Sequence, residues 1–235
     1  KNKAPYRNDT HCVVPYCEEI QHDETYIFNV TELGNYNYSV GESIIGCNSN
    51  VNESITLDYN LSCWYDYIIN ITEDNVVFDC QNNTIQGNGI EYGIYVEDSN
   101  NVTVKNCNVV MGGPISNYGI YYHQSNAGTI ENNTIYVGYD NAITINFGLY
   151  MVITNNTITA NGNNAVAISS TDGFTITNNT ILADALAIQY WGSLNSTITN
   201  NTITVDNNQA ITIYASEGGT ITNNTITENI YPITI

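Results

Sequence analysis

Positive charge is almost missing from this chain: four Lys and Arg stand against 23 Asp and Glu, for a formal net charge of −19. Three of the four are Lys1, Lys3 and Arg7, which leaves Lys105 alone for the rest of the sequence. Binding to nucleic acid rests on cationic side chains that neutralise phosphates, so that class of partner is excluded, and an anionic membrane surface is repelled for the same reason. Long apolar runs are missing too. No stretch reaches the roughly 18 residues that mark a membrane-spanning helix, so no membrane insertion is expected. Charged residues of both signs amount to only 11%, and solubility falls to neutral Asn, Thr, Ser and Tyr together with the acids. The sequence has no initiator Met and no signal peptide, and is expected to begin after processing or to be the ordered part of something longer.

What is present allows a sizeable core: 235 residues, 42% of them apolar, suffice for one large domain or two small ones. The six cysteines, Cys12, Cys17, Cys47, Cys63, Cys80 and Cys107, crowd into the first half. An even count in an acidic, Asn-rich chain points to disulfides and an oxidising compartment. Six cysteines allow fifteen pairings, so the connectivity stays open. His11, Cys12, Cys17 and His22 form a competing zinc pattern, but their spacing is not that of a standard finger, and no metal site is assigned there.

Internal repetition dominates the remainder. The phrase ITNNTIT stands at 153–159, 198–204 and 221–227, and ITNNTIL at 176–182. With the first Asn of each phrase as marker, the series is Asn82, Asn106, Asn132, Asn155, Asn178, Asn200 and Asn223, with steps of 22 to 26 residues. Cys80, Val104, Ile130, Ile153, Ile176, Ile198 and Ile221 precede the markers by two. Ile85, Val109, Ile135, Ile158, Ile181, Ile203 and Ile226 follow them by three. A third segment lies between markers: GIYV at 93–96, GIYY at 119–122, AITI at 142–145, AVAI at 165–168, ALAI at 185–188, AITI at 210–213 and PITI at 232–235. Its period of two is that of a strand, with inward pairs Ile94/Val96, Ile120/Tyr122, Ile143/Ile145, Val166/Ile168, Leu186/Ile188, Ile211/Ile213 and Ile233/Ile235.

Three short strands per coil and a near-constant period describe an all-β solenoid, a parallel β-helix with coils about 4.8 Å apart. Strict alternation through ITNNTIT places the marker Asn inward, between two inward isoleucines, and its successor at a bend, where Asn tolerates left-handed backbone. The expected ladder is therefore Asn82, Asn106, Asn132, Asn155, Asn178, Asn200 and Asn223. Its stacked amides would donate and accept between coils and fix their register.

Residues 68–235, and above all NITEDNVVFDCQNNTIQGNGIEYGIYVEDSNNVTVKNC at 70–107, resemble the right-handed parallel β-helix repeat proteins of archaeal and bacterial cell surfaces, including the repeat domain of the NosD-like periplasmic copper-binding family. The resemblance implies a right-handed solenoid at a cell surface. Copper handling does not follow, because the chain has two Met and three His and only His123 falls in the solenoid.

Residues 1–67 hold four of the six Cys and no repeat, and read as a disulfide-braced cap over the first coil, with 68–235 as the solenoid. A bridge from Cys80 back to Cys63 or Cys47 fits that arrangement. At the other end, Ile235 closes the sequence within a third strand. An uncovered rung of this type is an edge for strand addition, and head-to-tail contacts build open filaments. A trimmed C-terminal extension fits equally well.

Fourteen N-x-[ST] sequons occur. The ladder assignment sets aside Asn82, Asn132, Asn155, Asn178, Asn200 and Asn223. Asn70, alternating with Ile69 and Ile71, and Asn101 and Asn195, in loops, are preferred for N-linked sugar, with Asn8, Asn29, Asn37, Asn52 and Asn60 of the cap. No column gathers acids on adjacent coils: Asp140 and Asp184 come nearest and are two coils apart. A lyase needs a base and a glycosidase two facing carboxylates, so no catalytic residue is assigned. Glu97–Asp98, in a turn, is a weak calcium candidate; no other cofactor is expected. Outward tyrosines, among them Tyr92, Tyr95, Tyr118, Tyr121, Tyr150, Tyr190 and Tyr214, suit sugar stacking or subunit contacts.

The leading expectation is a secreted, glycosylated structural protein of an archaeal cell surface, self-associating through its solenoid ends as a filament or surface layer. A carbohydrate-binding or carbohydrate-cleaving β-helix, and a trimeric adhesin or viral spike, stand as alternatives.

Overall fold

The computed structural model describes residues 17–21, 27–30, 45–64, 67–89, 91–113, 117–206, 208–228 and 231–235. The chain divides into Lys1–Gly46 and Cys47–Ile235. In the first unit, Cys17–Gln21 pairs antiparallel with Ile27–Val30. The second unit is a solenoid of three parallel sheets. Sheet I has nine strands: Ser49–Val51, Tyr67–Ile71, Tyr92–Glu97, Tyr118–His123, Ile143–Asn146, Asn164–Ser169, Leu186–Trp191, Gln209–Tyr214 and Tyr231–Thr234. Sheet II has eight, from Ile55–Thr56 and Val77–Asp79 to Thr220–Thr222, and sheet III eight, from Leu61–Cys63 and Thr84–Asn88 to Thr225–Glu228. The expected three-strand coil is therefore the observed one. The expected boundary at 67/68 is not: Ser49–Val51, Ile55–Thr56 and Leu61–Cys63 already form a coil, paired to the next through Ser49↔Ile69, Ile55↔Phe78 and Leu61↔Ile85. That coil lacks the N-N-T phrase, which is why it escaped the repeat.

Alternating β-branched residues form these strands because every second side chain enters the interior. Ile85, Val109, Ile135, Ile158, Ile181 and Ile203 stack in one buried column, and Val104, Ile130, Ile153, Ile176 and Ile198 in another. Burying one such side chain contributes about 1.5–3 kcal/mol. In the second column the residue paired with Val104 is Phe78, not Cys80. Cys80 and Gln81 lengthen the bend after Asp79 by two residues, because Asp79 pairs with Lys105 while Thr84 pairs with Asn108. A similar shift changes sheet I. Val166 pairs with Ile188 and Ile168 with Tyr190, so the inward pair of that coil is Ile188/Tyr190 rather than Leu186/Ile188. Tyr190 is buried against Phe174, ring centroids 5.1 Å apart, and is not an outward aromatic.

The Asn ladder exists, one residue later than alternation places it. All the markers have left-handed backbone, Asn155 at φ 56° and Asn178 at φ 57° for example. A left-handed residue turns the chain and breaks the in–out alternation, so the marker side chain points away from the core and its successor enters. The buried ladder is Asn133, Asn156, Asn179 and Asn201, continued by the half-buried Asn224. Asn179 is representative: its Nδ2 donates to Ile153 O at 2.9 Å, Thr177 O at 3.0 Å and Asn201 Oδ1 at 3.0 Å. Its Oδ1 accepts from the backbone N–H of Asn156 at 2.9 Å and from Asn156 Nδ2 at 3.0 Å. Each side chain thus joins three coils and satisfies buried backbone groups, as the interior of a solenoid requires.

A second ladder was not read from the sequence. Ser99, Ser125, Thr171 and Ser193 are buried after the sheet I strands. The hydroxyls of Ser125, Thr171, Ser193 and the half-buried Ser216 accept backbone N–H groups of the preceding coil: from Ser99 at 3.2 Å, Gly148 at 3.3 Å, Thr171 at 3.2 Å and Ser193 at 3.1 Å. A Ser/Thr recurring near one corner at coil spacing is the available signal, and Gly148 interrupts it.

Candidate functional site on the outer face of sheet I

Cross-coil pairing brings residues about 25 apart in sequence into contact on the outer face of sheet I. Tyr67, Tyr92 and Tyr118 form one column, Asn70, Tyr95, Tyr121, Thr144, Ala167 and Gln189 a second, and Glu97, His123, Asn146, Ser169, Trp191 and Tyr214 a third. The rings of Tyr92, Tyr95, Tyr118 and Tyr121 form one contacting group, part stacked and part edge-on. Tyr92 lies 5.4 Å from Tyr118 and 4.8 Å from Tyr95, and Tyr95 lies 5.5 Å from Tyr121. The group continues through Tyr121–His123 at 6.2 Å and His123–Phe147 at 5.7 Å.

Polar groups knit the same surface. Asn146 Nδ2 donates to Tyr121 Oη at 2.7 Å, and Ser169 Oγ donates to Asn146 Oδ1 at 2.8 Å. Burial, and then the hydrogen bond and charge of Glu91, push the pKa of the Tyr92 phenol well above its ordinary value; burial and Glu97 do the same to Tyr95. These hydroxyls stay protonated and serve as donors. Asn164 Nδ2 donates to Gln189 Oε1 at 3.2 Å. Three buried polar atoms on this face, Asn70 Oδ1, His123 Nδ1 and Asn164 Oδ1, have no hydrogen-bond partner among the described residues.

The other anticipated site residues lie elsewhere. The described disulfides are Cys47–Cys63 and Cys80–Cys107, so Cys80 pairs forward and not back to Cys63 or Cys47. The lengthened bend carries it toward the next coil, where Cys107 occupies the ladder position that Asn holds in later coils. Formed disulfides fit an oxidising, extracellular type of compartment. His11, Cys12 and His22 lie outside the described residues, as do the sequons Asn8 and Asn37; the Cys17 and Asn29 side chains are likewise not described. Asn52 and Asn60 are exposed, and Asn60 Oδ1 accepts the Thr84 N–H at 2.7 Å. Asn70 is half-buried and donates to Asn50 at 3.1 Å. Asn101 and Asn195 are exposed at left-handed bends, with Asn101 Nδ2 donating to Asn75 Oδ1 at 2.8 Å. Glu97 and Asp98 are not joined by a third ligand: among the described residues no three His, Cys, Asp or Glu gather in a metal-holding group. No described helix is long and apolar enough to cross a membrane.

Taken together, the three parallel sheets, the stacked coils and the buried ladders define a β-helical solenoid with an aromatic and polar outer face. Residues 114–235, just over half of the chain, match the family described as right-handed β-helix region. The chain belongs to that family, which gives the coil its hand. No curated protein matches it. Among solved structures it is similar to the Dettilon tailspike protein, at 13% identity and a TM-score of 0.44, covering 76% of this chain and 54% of that one. It is also similar to tailspike protein 2 of bacteriophage CBA120, at 9% identity and a TM-score of 0.47, covering 79% and 41%. A third is the A-module of a mannuronan C-5 epimerase from Azotobacter vinelandii, at 10% identity and a TM-score of 0.39, covering 81% and 80%. The chain thus spans about half the length of the tailspike chains.

Proposed function

We propose that this protein is an extracellular carbohydrate-binding β-helix whose binding face is the outside of sheet I. The observation that carries the reading is the group of Tyr92, Tyr95, Tyr118 and Tyr121 rings on the outside of sheet I, with Glu97, His123 and Asn146 in the neighbouring column. A sugar ring has an apolar C–H face and a rim of hydroxyls. Aromatic side chains with a polar handle suit the first, and Asn, His and carboxylate groups the second. The extended face suits a chain of sugars more than a single residue. With a net charge of −19 on the protein, a polyanion would be repelled, so the ligand class is an uncharged polysaccharide.

This reading has a surface of its own to stand on. Head-to-tail filament assembly, expected from the coil repeat, the disulfides and the last strand, draws nothing from the aromatic face of sheet I. The test is affinity electrophoresis or calorimetry against neutral glucans, mannans and galactans, with a polyuronate as control. Binding to a neutral polymer that falls at least tenfold in Tyr121→Ala and in Trp191→Ala, with circular dichroism unchanged, is the expected result. No binding to any neutral polymer, or unaltered binding by both variants, sinks it. Release of reducing ends on long incubation would extend the reading to cleavage.

A further inference from the structure

The corner between sheets II and III carries a side-chain pattern that its backbone does not explain. Each coil bends through left-handed residues in three columns. After the sheet I strands, the column is Asp98, Gln124, Phe147, Ser170, Gly192 and Ala215, without a single Asn. Before the sheet II strands it is Asn75, Asn101, Ala127, Tyr150, Gly173, Asn195 and Gly218. Both are mixed, as expected where positive φ alone is required and Gly meets it best. The third column is Asn82, Asn106, Asn132, Asn155, Asn178, Asn200 and Asn223, Asn throughout and never Gly.

Six of these seven are followed at the second position by Thr: Thr84, Thr134, Thr157, Thr180, Thr202 and Thr225. All six asparagines are exposed, and their side chains make no hydrogen bond among the described residues. The exception is Asn106, followed by Cys107 and Asn108. It alone is half-buried, with its Nδ2 donating to Asp79 Oδ1 at 2.9 Å. Where the N-x-Thr pattern is broken, the amide has a structural partner; where the pattern is intact, the amide is free.

We infer that this corner is an N-glycosylation stripe, with Asn82, Asn132, Asn155, Asn178, Asn200 and Asn223 as acceptors. In each transfer the Asn Nδ2 attacks the anomeric carbon of a lipid-pyrophosphate-linked oligosaccharide. The N–C bond forms, the C–O bond to the pyrophosphate breaks, the lipid pyrophosphate leaves and Nδ2 loses one proton. From Asn132 to Asn223 the residue between acceptor and Thr is a member of the Asn ladder, so the acceptors stand beside that ladder, about 4.8 Å apart on adjacent coils. That spacing crowds neighbours, and the run from Asn132 to Asn223 is expected to be occupied incompletely.

The stripe lies on a different corner from the sheet I face, and does not depend on sugar binding there. The test is peptide mapping by mass spectrometry of the protein purified from the cells that make it. Digestion must be non-tryptic, since Lys105 is the only Lys or Arg after Arg7. Glycan on members of this column is the expected result, and six bare asparagines would overturn the inference. Thr157→Val, made in the same cells, keeps a β-branched outward residue while removing one sequon. It should lose the Asn155 glycan without shifting the melting temperature; retention of that glycan, or a lowered melting temperature in a protein that carries none, would also overturn it.

Discussion

Replacing Asn179 and Asn178 separately by Ala tests which of two neighbouring, chemically identical residues holds the solenoid together. Asn179→Ala removes three donated bonds, to Ile153 O, Thr177 O and Asn201 Oδ1, and two accepted ones from Asn156. Most of the partners keep another bond: Thr177 O still accepts Asn155 N, and Asn156 Nδ2 still reaches Ile130 O and Thr154 O. The backbone N–H of Asn156 does not, and a buried orphan donor costs about 1–3 kcal/mol. Adding about 1 kcal/mol for each of two further net bonds gives a loss of about 3–5 kcal/mol, a large part of the roughly 5–15 kcal/mol that holds a domain folded. Asn178→Ala removes no hydrogen bond and only puts Ala at φ 57°, a cost near 1 kcal/mol; Asn178→Gly should lie within about 0.5 kcal/mol of the parent. Urea unfolding followed by far-ultraviolet dichroism measures all three. A solenoid is held by nearest-neighbour contacts, so Asn179→Ala should also broaden the transition and speed exchange of the Asn156 amide. A loss for Asn178→Ala as large as that for Asn179→Ala would refute the assignment of inward and outward positions.

Gly119→Ala should destabilise by about 1–3 kcal/mol in the same assay, because the added Cβ would lie 2.5 Å from the Ala142 carbonyl oxygen and 2.8 Å from Ile135 Cγ2. Ala already occupies the same column at Ala142, Ala165, Ala187 and Ala210, so a neutral result would show that this coil can relax as those do. Serine at both Cys80 and Cys107 opens a crosslink spanning 27 residues and should cost about 3 kcal/mol under non-reducing conditions; a loss below about 1 kcal/mol would mean the ladder alone holds that coil. Burial pushes the Asp79 carboxyl up, but hydrogen bonds from Asn106 and the Gln81 N–H and the charge of Lys105, 3.6 Å away, outweigh it and hold it below its ordinary value. Its folded-state value is thus depressed, so its contribution is present at neutral pH and lost as pH falls through and below about 4. Asp79→Asn should flatten that acid limb and leave stability above pH 5 independent of pH to the same degree as in the parent.

The fold was legible because a parallel solenoid writes its period into the chain. Inward columns such as Ile135, Ile158, Ile181 and Ile203 must be apolar and β-branched in every coil, and the phrase around them recurs with little change. What misled was local. A left-handed residue exchanges inside for outside at one step, and no hydrophobicity pattern distinguishes the two asparagines of N-N-T. Two-residue shifts had the same effect: the extra bend residues at Cys80 hid Phe78 as the true column member, and the late start of the inward pair in 186–191 hid Tyr190. The coil over 49–63 went unseen because its bend does not use the repeated phrase, so only strand pairing reveals it.

The candidate site was less legible than the fold for a reason that follows from the architecture. Outward positions of a β-helix are not constrained by the core, so neither their chemistry nor their spacing has to repeat. Tyr95, Tyr121 and Asn146 touch because coils stack, although 51 residues separate the first from the last in sequence. A site of this kind has no contiguous motif; it becomes a constellation only after register is known, and a shift of two residues in one coil would carry His123 or Trp191 out of its column. The columns that fix register therefore also fix the site. Loosening the Asn ladder between two coils should weaken ligand binding across that junction before it unfolds the chain, because the aromatic face is assembled from strands that the ladder holds in step.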